Sequence, residues 1–238
     1  MTLDDVYSQL VNGEMRHLYM DAAGVPVAEL PVDKRRHLLW SIQLGLTELH
    51  KRFLLREGEF TLDLVDGQQS YVLDKRYAQS NTQSTETNKY IDDAQWNFVN
   101  DLIKVERAYD AEGTELSINI VGDEDSLRTP TYNSLIVPTT NESATIRVIY
   151  RADHPAISPQ IASGAPIAVD IQLPPSYLEA LLFYVAARAL TPVGMVNEFH
   201  EGSHYTMKFE NSCALLNATG FKVETAGINN RLERNGWV

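Results

Sequence analysis

The spacing of apolar residues predicts two amphipathic helices in the first 58 residues. Near the N-terminus, apolar side chains fall largely on one helical face, and Thr2 with Asp5 forms the pattern of a capping box. The second helix is predicted to begin at Asp33 and to end at Gly58. Its apolar stripe recurs at intervals of three and four residues: Leu38, Ile42, Leu46, Leu49 and Phe53.

Two further helices are predicted near the C-terminus. Pro174 and Pro175 stand where prolines start a helix, and the apolar run after them covers most of the helical circumference. This helix should therefore be buried on several sides. The last helix is predicted from about Val196 to Thr219, and its inner stripe has four members: Tyr205, Phe209, Cys213 and Leu216.

Between the helical ends, the apolar period changes from that of a helix to two, which is typical of strands. The stretch "EFTLDLVDGQQSYVL" alternates around Asp66-Gly67 and predicts a hairpin, and a second hairpin is predicted around Gly113. "SLIVP" and "SATIRVIYRAD" predict two more strands. The polar run "AQSNTQSTETNKY", residues 78–90, predicts a long exposed loop, either a disordered tip or a segment ordered by a partner.

These elements predict an α+β fold with a small bundle of about four helices, two from each end of the chain. The helical domain is discontinuous, comprising residues 1–58 and 173–220, and a β-rich antiparallel insertion occupies residues 59–172. Because the ends of an insertion come close together, the second and third helices should be neighbours. Residues 221–238 have turn residues and mixed charge, and they predict an extended C-terminal arm.

Charge and cysteine content narrow the classes of function. The 238 residues include 32 acidic and 20 basic side chains, a formal net charge of -12, which disfavours specific binding to nucleic acid or to an anionic membrane. The single cysteine, Cys213, excludes an intrachain disulfide and a thiolate zinc site. With no apolar stretch of transmembrane length, we expect a soluble protein made and kept in a reducing cytoplasm, or on a particle assembled there.

One short stretch has the letters of a zinc protease motif. His200-Glu201-Gly202-Ser203-His204 is an H-E-x-x-H, in which two histidines one helical turn apart bind zinc and the glutamate acts as general base. A catalytic zinc also needs a third ligand. The extended form of the motif would place glycine and histidine where Met207 and Glu210 stand.

No later residue supplies the third ligand convincingly. Glu224 is the nearest downstream carboxylate before Glu233, and it follows Gly220 in a segment too short and turn-rich for a supporting helix. We therefore expect no metal and no cofactor, with His200 and His204 kept as the candidate metal ligands of an alternative, enzymatic function. The other four histidines are scattered one per element and are interpreted as solvated or hydrogen-bonded residues: His17, His37, His50 and His154.

Both helical ends resemble a known family. "LPPSYLEALLFYVAARALTPVG" followed by "EGSHYTMKFENSCALL", together with "VYSQLVNGEMRHLYM" and "IQLGLTELHKRFLLREGEFTLDL", is similar to the head-to-tail adaptor, or connector, proteins of short-tailed phages, of the tail tubular protein A type. The resemblance covers roughly residues 1–75 and 170–238. The β-rich insertion matches only in position and type.

The resemblance implies a structural virion protein without catalysis, located at the head-tail junction. It implies a ring of twelve subunits between the portal protein and the tail nozzle of the tail tubular protein B type, with genomic DNA passing through the channel without specific binding. The C-terminal arm is expected to dock to the portal through its apolar residues: Phe221, Val223, Ile228, Leu232 and Trp237. Two other functions stay open, a zinc metallohydrolase and a tail-associated β module that binds a host glycan or protein receptor.

Overall fold

The computed structural model describes residues 1–20, 32–141, 143–158, 169–190 and 196–219, with the backbone alone at 32, 33 and 196–201. Across these ranges the chain is mixed α+β, with four α-helices and a five-stranded antiparallel sheet. The predicted fold class is confirmed at this level. None of the described helices is long and apolar enough to cross a membrane.

The chain divides into two compact units. The helical unit comprises Met1–Ile42 and Ala162–Val238, and the β-rich unit comprises Gln43–Ile161. The predicted domain boundaries, after residues 58, 172 and 220, stay predictions.

The helices of the described chain are four α-helices and three short 3-10 turns. The α-helices are α1 (Leu3–Asn12), α2 (Val32–Arg52), α3 (Leu178–Leu190) and α4 (Val196–Ala218). The 3-10 turns are Arg16–Leu18, Lys75–Tyr77 and Pro175–Tyr177.

Seven strands form two sheets in the described part of the β-rich unit. They are β1 (Glu57–Asp63), β2 (Ser70–Val72), β3 (Ile91–Asp92), β4 (Leu102–Tyr109), β5 (Glu115–Leu116), β6 (Ser134–Ile136) and β7 (Thr145–Ala152). The larger sheet has the order β3-β1-β7-β4-β5, and β2 pairs with β6 in a second, two-stranded sheet.

The predicted capping box of α1 is confirmed. The Asp5 amide donates to the Thr2 hydroxyl at 3.2 Å, and the Thr2 amide donates to the Asp5 carboxylate at 2.8 Å. These two bonds satisfy backbone donors that the first helical turn leaves without partners. The apolar face that follows is buried: Leu3, Val6, Tyr7, Leu10 and Val11.

The predicted end of α2 at Gly58 is wrong. The helix ends at Arg52, and Gly58 is the second residue of β1. A Cβ atom at this position would overlap the ring of Tyr150 on the paired strand β7. The glycine is therefore required by the close approach of an aromatic ring inside the sheet and has no role in stopping a helix.

The C-terminal helices agree with the sequence prediction. Most of the circumference of α3 is buried, and α4 buries Phe209, Cys213 and Leu216 of its predicted stripe. The two helices contact each other through aromatic rings, with centroid distances of 5.2 Å for Tyr184 and Phe209 and 6.1 Å for Phe183 and Tyr205.

One of the two predicted hairpins forms. β4 and β5 pair around Gly113, with Tyr109 opposite Glu115, as predicted. The predicted β1–β2 hairpin is wrong, because β1 pairs with β7 and β3 while β2 pairs with β6. Alternation identifies the face that each strand buries but does not identify its partner. Both strands bury their apolar face in one core, to which they contribute Phe60, Leu62 and Tyr71.

Candidate functional site

The zinc motif lies at the start of α4. The side chains of His200 and Glu201 lie outside the described residues, and the side chain of His204 is exposed. Among the described side chains, no group of three or more histidine, cysteine, aspartate or glutamate residues is placed to hold a metal ion. His204 is therefore a surface residue, one turn before the stripe that α4 buries.

The predicted portal-docking residues of the arm, from Phe221 to Trp237, lie outside the described residues. Two described helices instead carry large apolar side chains on their outer faces. On α2 these are Trp40, with 59% of its surface exposed, and Leu44, one turn later. On α4 they are Met207 and Leu215, exposed by 65% and 63%. Trp40 and Leu44 lie on one face of α2, whereas Met207 and Leu215, eight residues apart, are separated by about 80° around α4. Exposed large apolar side chains of this kind are typical of a surface that contacts another protein.

The β-rich unit contains two buried histidines in contact. His50, near the end of α2, is fully buried, and His154, after β7, exposes only 4% of its surface. Their rings meet edge to face with centroids 5.6 Å apart. Each Nδ1 lies within hydrogen-bonding distance of a backbone carbonyl, 2.8 Å from Leu46 for His50 and 2.7 Å from Pro155 for His154.

These carbonyls fix the tautomer, because a carbonyl can only accept. Each Nδ1 therefore donates its proton, which leaves each Nε2 as the unprotonated nitrogen of a neutral ring. The Nε2 of His50 is buried and has no hydrogen-bond partner among the described residues. Burial lowers the pKa of both histidines, and each ring would be destabilised further if its neighbour became charged.

A polar network lies in the same unit, around Arg56. Its guanidinium donates to the Asp101 carboxylate at 2.7 Å and to the backbone carbonyl of Asp153 at 2.8 Å. Asp101 also accepts from the Tyr150 hydroxyl at 3.1 Å, and Asp153 accepts from the Thr47 hydroxyl at 2.9 Å. The network connects α2 to the ends of β1, β4 and β7, so its clearest role is structural.

The polar face of the large sheet carries paired charges. Arg107 contacts Glu57 at 2.9 Å, and Arg151 contacts Glu106 at 2.6 Å. The register between β4 and β7 shifts between Val105 and Arg107. This bulge places Glu106 and Arg107, adjacent in sequence, on the same face, where each reaches an opposite charge.

A polar cavity of about 450 Å³ opens on the β-rich unit. One wall is the loop from Lys75 to Glu86, and the other is the segment Asn97–Val99. The first wall includes most of the polar run that the sequence predicted as an exposed loop.

Two acceptors hold the cavity walls together. The carboxylate of Asp93, which is buried, accepts from the Ser80 amide at 3.0 Å, the Ser80 hydroxyl at 2.5 Å and the Phe98 amide at 2.8 Å. The Asn100 side chain accepts from the Lys75 amide at 2.6 Å. Burial alone would raise the pKa of Asp93, but its hydrogen bonds outweigh burial and lower that pKa below the ordinary value.

Sequence reasoning missed both the histidine contact and the Asp93 anchor. His50 lies four residues after Leu46 and three before Phe53, on the apolar stripe of α2, so its burial had a detectable signal. No local pattern marks His154 or Asp93, because their partners come from elements distant in sequence.

Comparison with known proteins gives no relative: no protein-family model matches the chain, and no curated protein matches it. The functional inference therefore depends on the residues themselves and on the resemblance of the helical ends.

Proposed function

We propose that this chain is a structural virion protein, a head-to-tail adaptor that forms a ring between the portal and the tail nozzle of a short-tailed phage. The observation that carries the proposal is the exposure of large apolar side chains on the outer sides of α2 and α4, in addition to the buried stripes of these helices. A ring subunit needs such faces, because each copy contacts the next through two different surfaces.

Burial of these side chains at a subunit contact would stabilise assembly. Fully burying one large apolar side chain contributes roughly 1.5–3 kcal/mol, so Trp40, Leu44, Met207 and Leu215 together supply a useful part of the free energy of ring closure. The net charge of -12 fits a channel through which DNA passes without being bound. The proposal assigns no catalytic residue.

Imaging of assembled particles tests the proposal. The full chain is mixed with a cognate portal protein and examined by mass photometry and negative-stain electron microscopy. We expect rings of this chain, twelve subunits each, docked on the portal. Particles that stay monomeric, with and without the portal at micromolar concentration, would overturn the adaptor function.

Charge substitutions on the outer faces sharpen the test. Trp40→Glu and Met207→Glu should each abolish ring formation while leaving the circular dichroism spectrum unchanged. Val121→Glu is the matched control, since Val121 is fully exposed in the β-rich unit and belongs to neither helix face. Loss of rings in the control variant as well would show that added charge alone prevents assembly.

The C-terminal arm is proposed as the portal-docking segment. Deletion of residues 222–238 should leave a folded protein that no longer docks to the portal. If the truncated protein aggregates instead, the segment belongs to the folded core and the docking assignment is wrong.

The enzymatic alternative has a direct test in metal content. A zinc hydrolase using His200, Glu201 and His204 would copurify with about one zinc per chain and lose both metal and hydrolytic activity in the His204→Ala variant. Mass spectrometry of the purified protein for metals distinguishes it from the adaptor, for which we expect no stoichiometric zinc.

A further inference from the structure

We infer that the β-rich unit binds a neutral saccharide in the polar cavity between the Lys75–Glu86 loop and Asn97–Val99. The inference goes beyond the adaptor function and does not depend on it. It gives the alternative of a receptor-binding β module a definite site and a definite class of ligand.

The size and polarity of the cavity exclude most other ligands. About 450 Å³ lies within the range of small-molecule sites, roughly 300–1,000 Å³. Such sites are usually lined by apolar side chains, whereas most residues that line this one carry hydroxyl, amide or charged groups, and its apolar members are Phe98 and Val99. An apolar ligand would leave these groups without partners, so the ligand must offer many hydrogen-bonding groups of its own.

The walls are held in place before any ligand arrives. Ser80 is fixed by Asp93, the Asn81 amide donates to the Lys75 carbonyl at 3.0 Å, and the Ser84 hydroxyl donates to the Arg76 carbonyl at 2.6 Å. Three polar side chains of the loop are therefore occupied in holding it. A loop fixed in this way loses little conformational freedom on binding.

A second set of lining side chains is available to a ligand. No described residue makes a hydrogen bond or ion pair with the side-chain polar groups of this set, which comprises Lys75, Gln83, Thr85, Glu86 and Asn97. Together they provide amide, hydroxyl, carboxylate and ammonium groups, hence both donors and acceptors. This mixture matches vicinal hydroxyls, each of which can donate and accept.

The charges of the lining favour a neutral ligand. The Arg76 guanidinium is already paired with Asp74 at 3.3 Å, and the remaining charged lining residues, Lys75 and Glu86, have opposite charges and form no ion pair with any described residue. A phosphate or polyanion is bound by several converging cations, which this cavity does not provide.

Apolar side chains also lie at or next to the polar cavity. Val99 lines the cavity with more than half of its surface exposed, and Trp96 precedes the lining residue Asn97 and exposes 59% of its surface. The face of a sugar ring that carries C–H groups is apolar and packs on an indole, while the hydroxyls at its edge reach polar side chains. A saccharide uses both kinds of surface.

The test uses the full-length protein and a defined panel of probes. A glycan array of neutral and acidic oligosaccharides identifies candidates, and saturation-transfer NMR with the best neutral disaccharide measures binding in solution. We expect saturation transfer from at least one neutral disaccharide. The Asn97→Ala and Trp96→Ala variants should each weaken its binding at least tenfold.

Tyr132→Ala is the control for Trp96, because Tyr132 is also an exposed aromatic residue of the same unit but, unlike Trp96, is not adjacent in sequence to a residue that lines the cavity. Its binding should match that of the unaltered chain. Three results would overturn the inference. The first is no saturation transfer from any neutral probe, and the second is binding by Asn97→Ala and Trp96→Ala that equals binding by the unaltered chain. The third is binding of acidic probes alone, lost in Lys75→Ala. Ring formation by the Asn97→Ala variant is measured in parallel. If this variant loses saccharide binding but still forms rings, the loss concerns the saccharide site and not the adaptor function.

Discussion

The imidazole rings of His50 and His154 pack edge to face inside the β-rich unit, with their centroids 5.6 Å apart. Both rings donate from Nδ1 to a backbone carbonyl, and both are buried. The packing requires two neutral rings, because a proton added to one would place a charge in a buried site beside the other.

Acidification should therefore destabilise the protein. Burial lowers the pKa of both histidines in the folded state, so between that lowered pKa and the ordinary value of 6.5 the unfolded chain binds more protons than the folded chain. The contribution of the two neutral histidines to the free energy of unfolding is fully present above pH 6.5. It is lost as the pH falls through their lowered pKa. The maximum slope is about 1.4 kcal/mol per pH unit for each histidine. Urea denaturation between pH 5 and 8 measures it.

The variant His50→Asn isolates this effect. An asparagine amide can still donate to the Leu46 carbonyl but does not titrate, so the slope of stability against pH should fall by up to half. His204→Gln, which alters an exposed histidine on α4, is the control for the loss of a histidine outside the buried pair. An unchanged slope in His50→Asn would show that other groups set the pH dependence.

Gly58→Ala should destabilise the β-rich unit. The added methyl group would overlap the Tyr150 ring, and overpacking of this kind costs about 1–3 kcal/mol. The shift in the urea midpoint measures the cost. In a Tyr150→Leu background the same substitution should cost less, because the ring that causes the overlap is absent. An equal loss of stability in both backgrounds would mean that the loss comes from the backbone of β1 and not from overlap with the Tyr150 ring.

Asp93→Ala should loosen both walls of the polar cavity. The substitution removes the acceptor of three hydrogen bonds from Ser80 and Phe98, and we expect a loss of about 2–4 kcal/mol. Hydrogen exchange of the Ser80 and Phe98 amides should accelerate. Asp92→Ala is the matched control, because among the described residues the Asp92 side chain accepts a hydrogen bond only from the nearby Ala94 amide. If hydrogen exchange of the same two amides accelerates similarly in Asp92→Ala, the hydrogen bonds of Asp93 do not specifically hold the two walls.

The fold class and most helices could be predicted because their signals are local. The capping box of Thr2 and Asp5 and the stripe of Phe209, Cys213 and Leu216 each lie within a few turns of one helix. Strand partners are not local. Alternation located β1 and β2 but gave no information on β7 and β6, with which they pair, so the first hairpin was wrongly predicted.

The candidate sites were harder to predict for the same reason. The polar run at 78–90 was recognised as a loop, but the carboxylate that anchors it comes from Asp93 beyond β3. Gly58 looked like a helix stop, because nothing near it in sequence reveals the ring of Tyr150. A residue whose partner is brought to it by the sheet carries no signal in its own neighbourhood.

Two ion pairs of the β-rich unit should differ in their contribution to stability. Arg56 and Asp101 are 2.7 Å apart and Asp101 exposes only 8% of its side chain, whereas Arg147 and Glu59 are 3.9 Å apart and both are well exposed. Removing one partner of a buried pair leaves the other charge without compensation, so Asp101→Ala should cost about 2–3 kcal/mol. Glu59→Ala should cost less than about 0.5 kcal/mol, because water screens the exposed pair. Urea denaturation at low and high salt checks both, and the loss in Asp101→Ala should persist at 1 M NaCl because Asp101 is shielded from solvent. Equal losses in the two variants would mean that burial does not set the strength of these pairs.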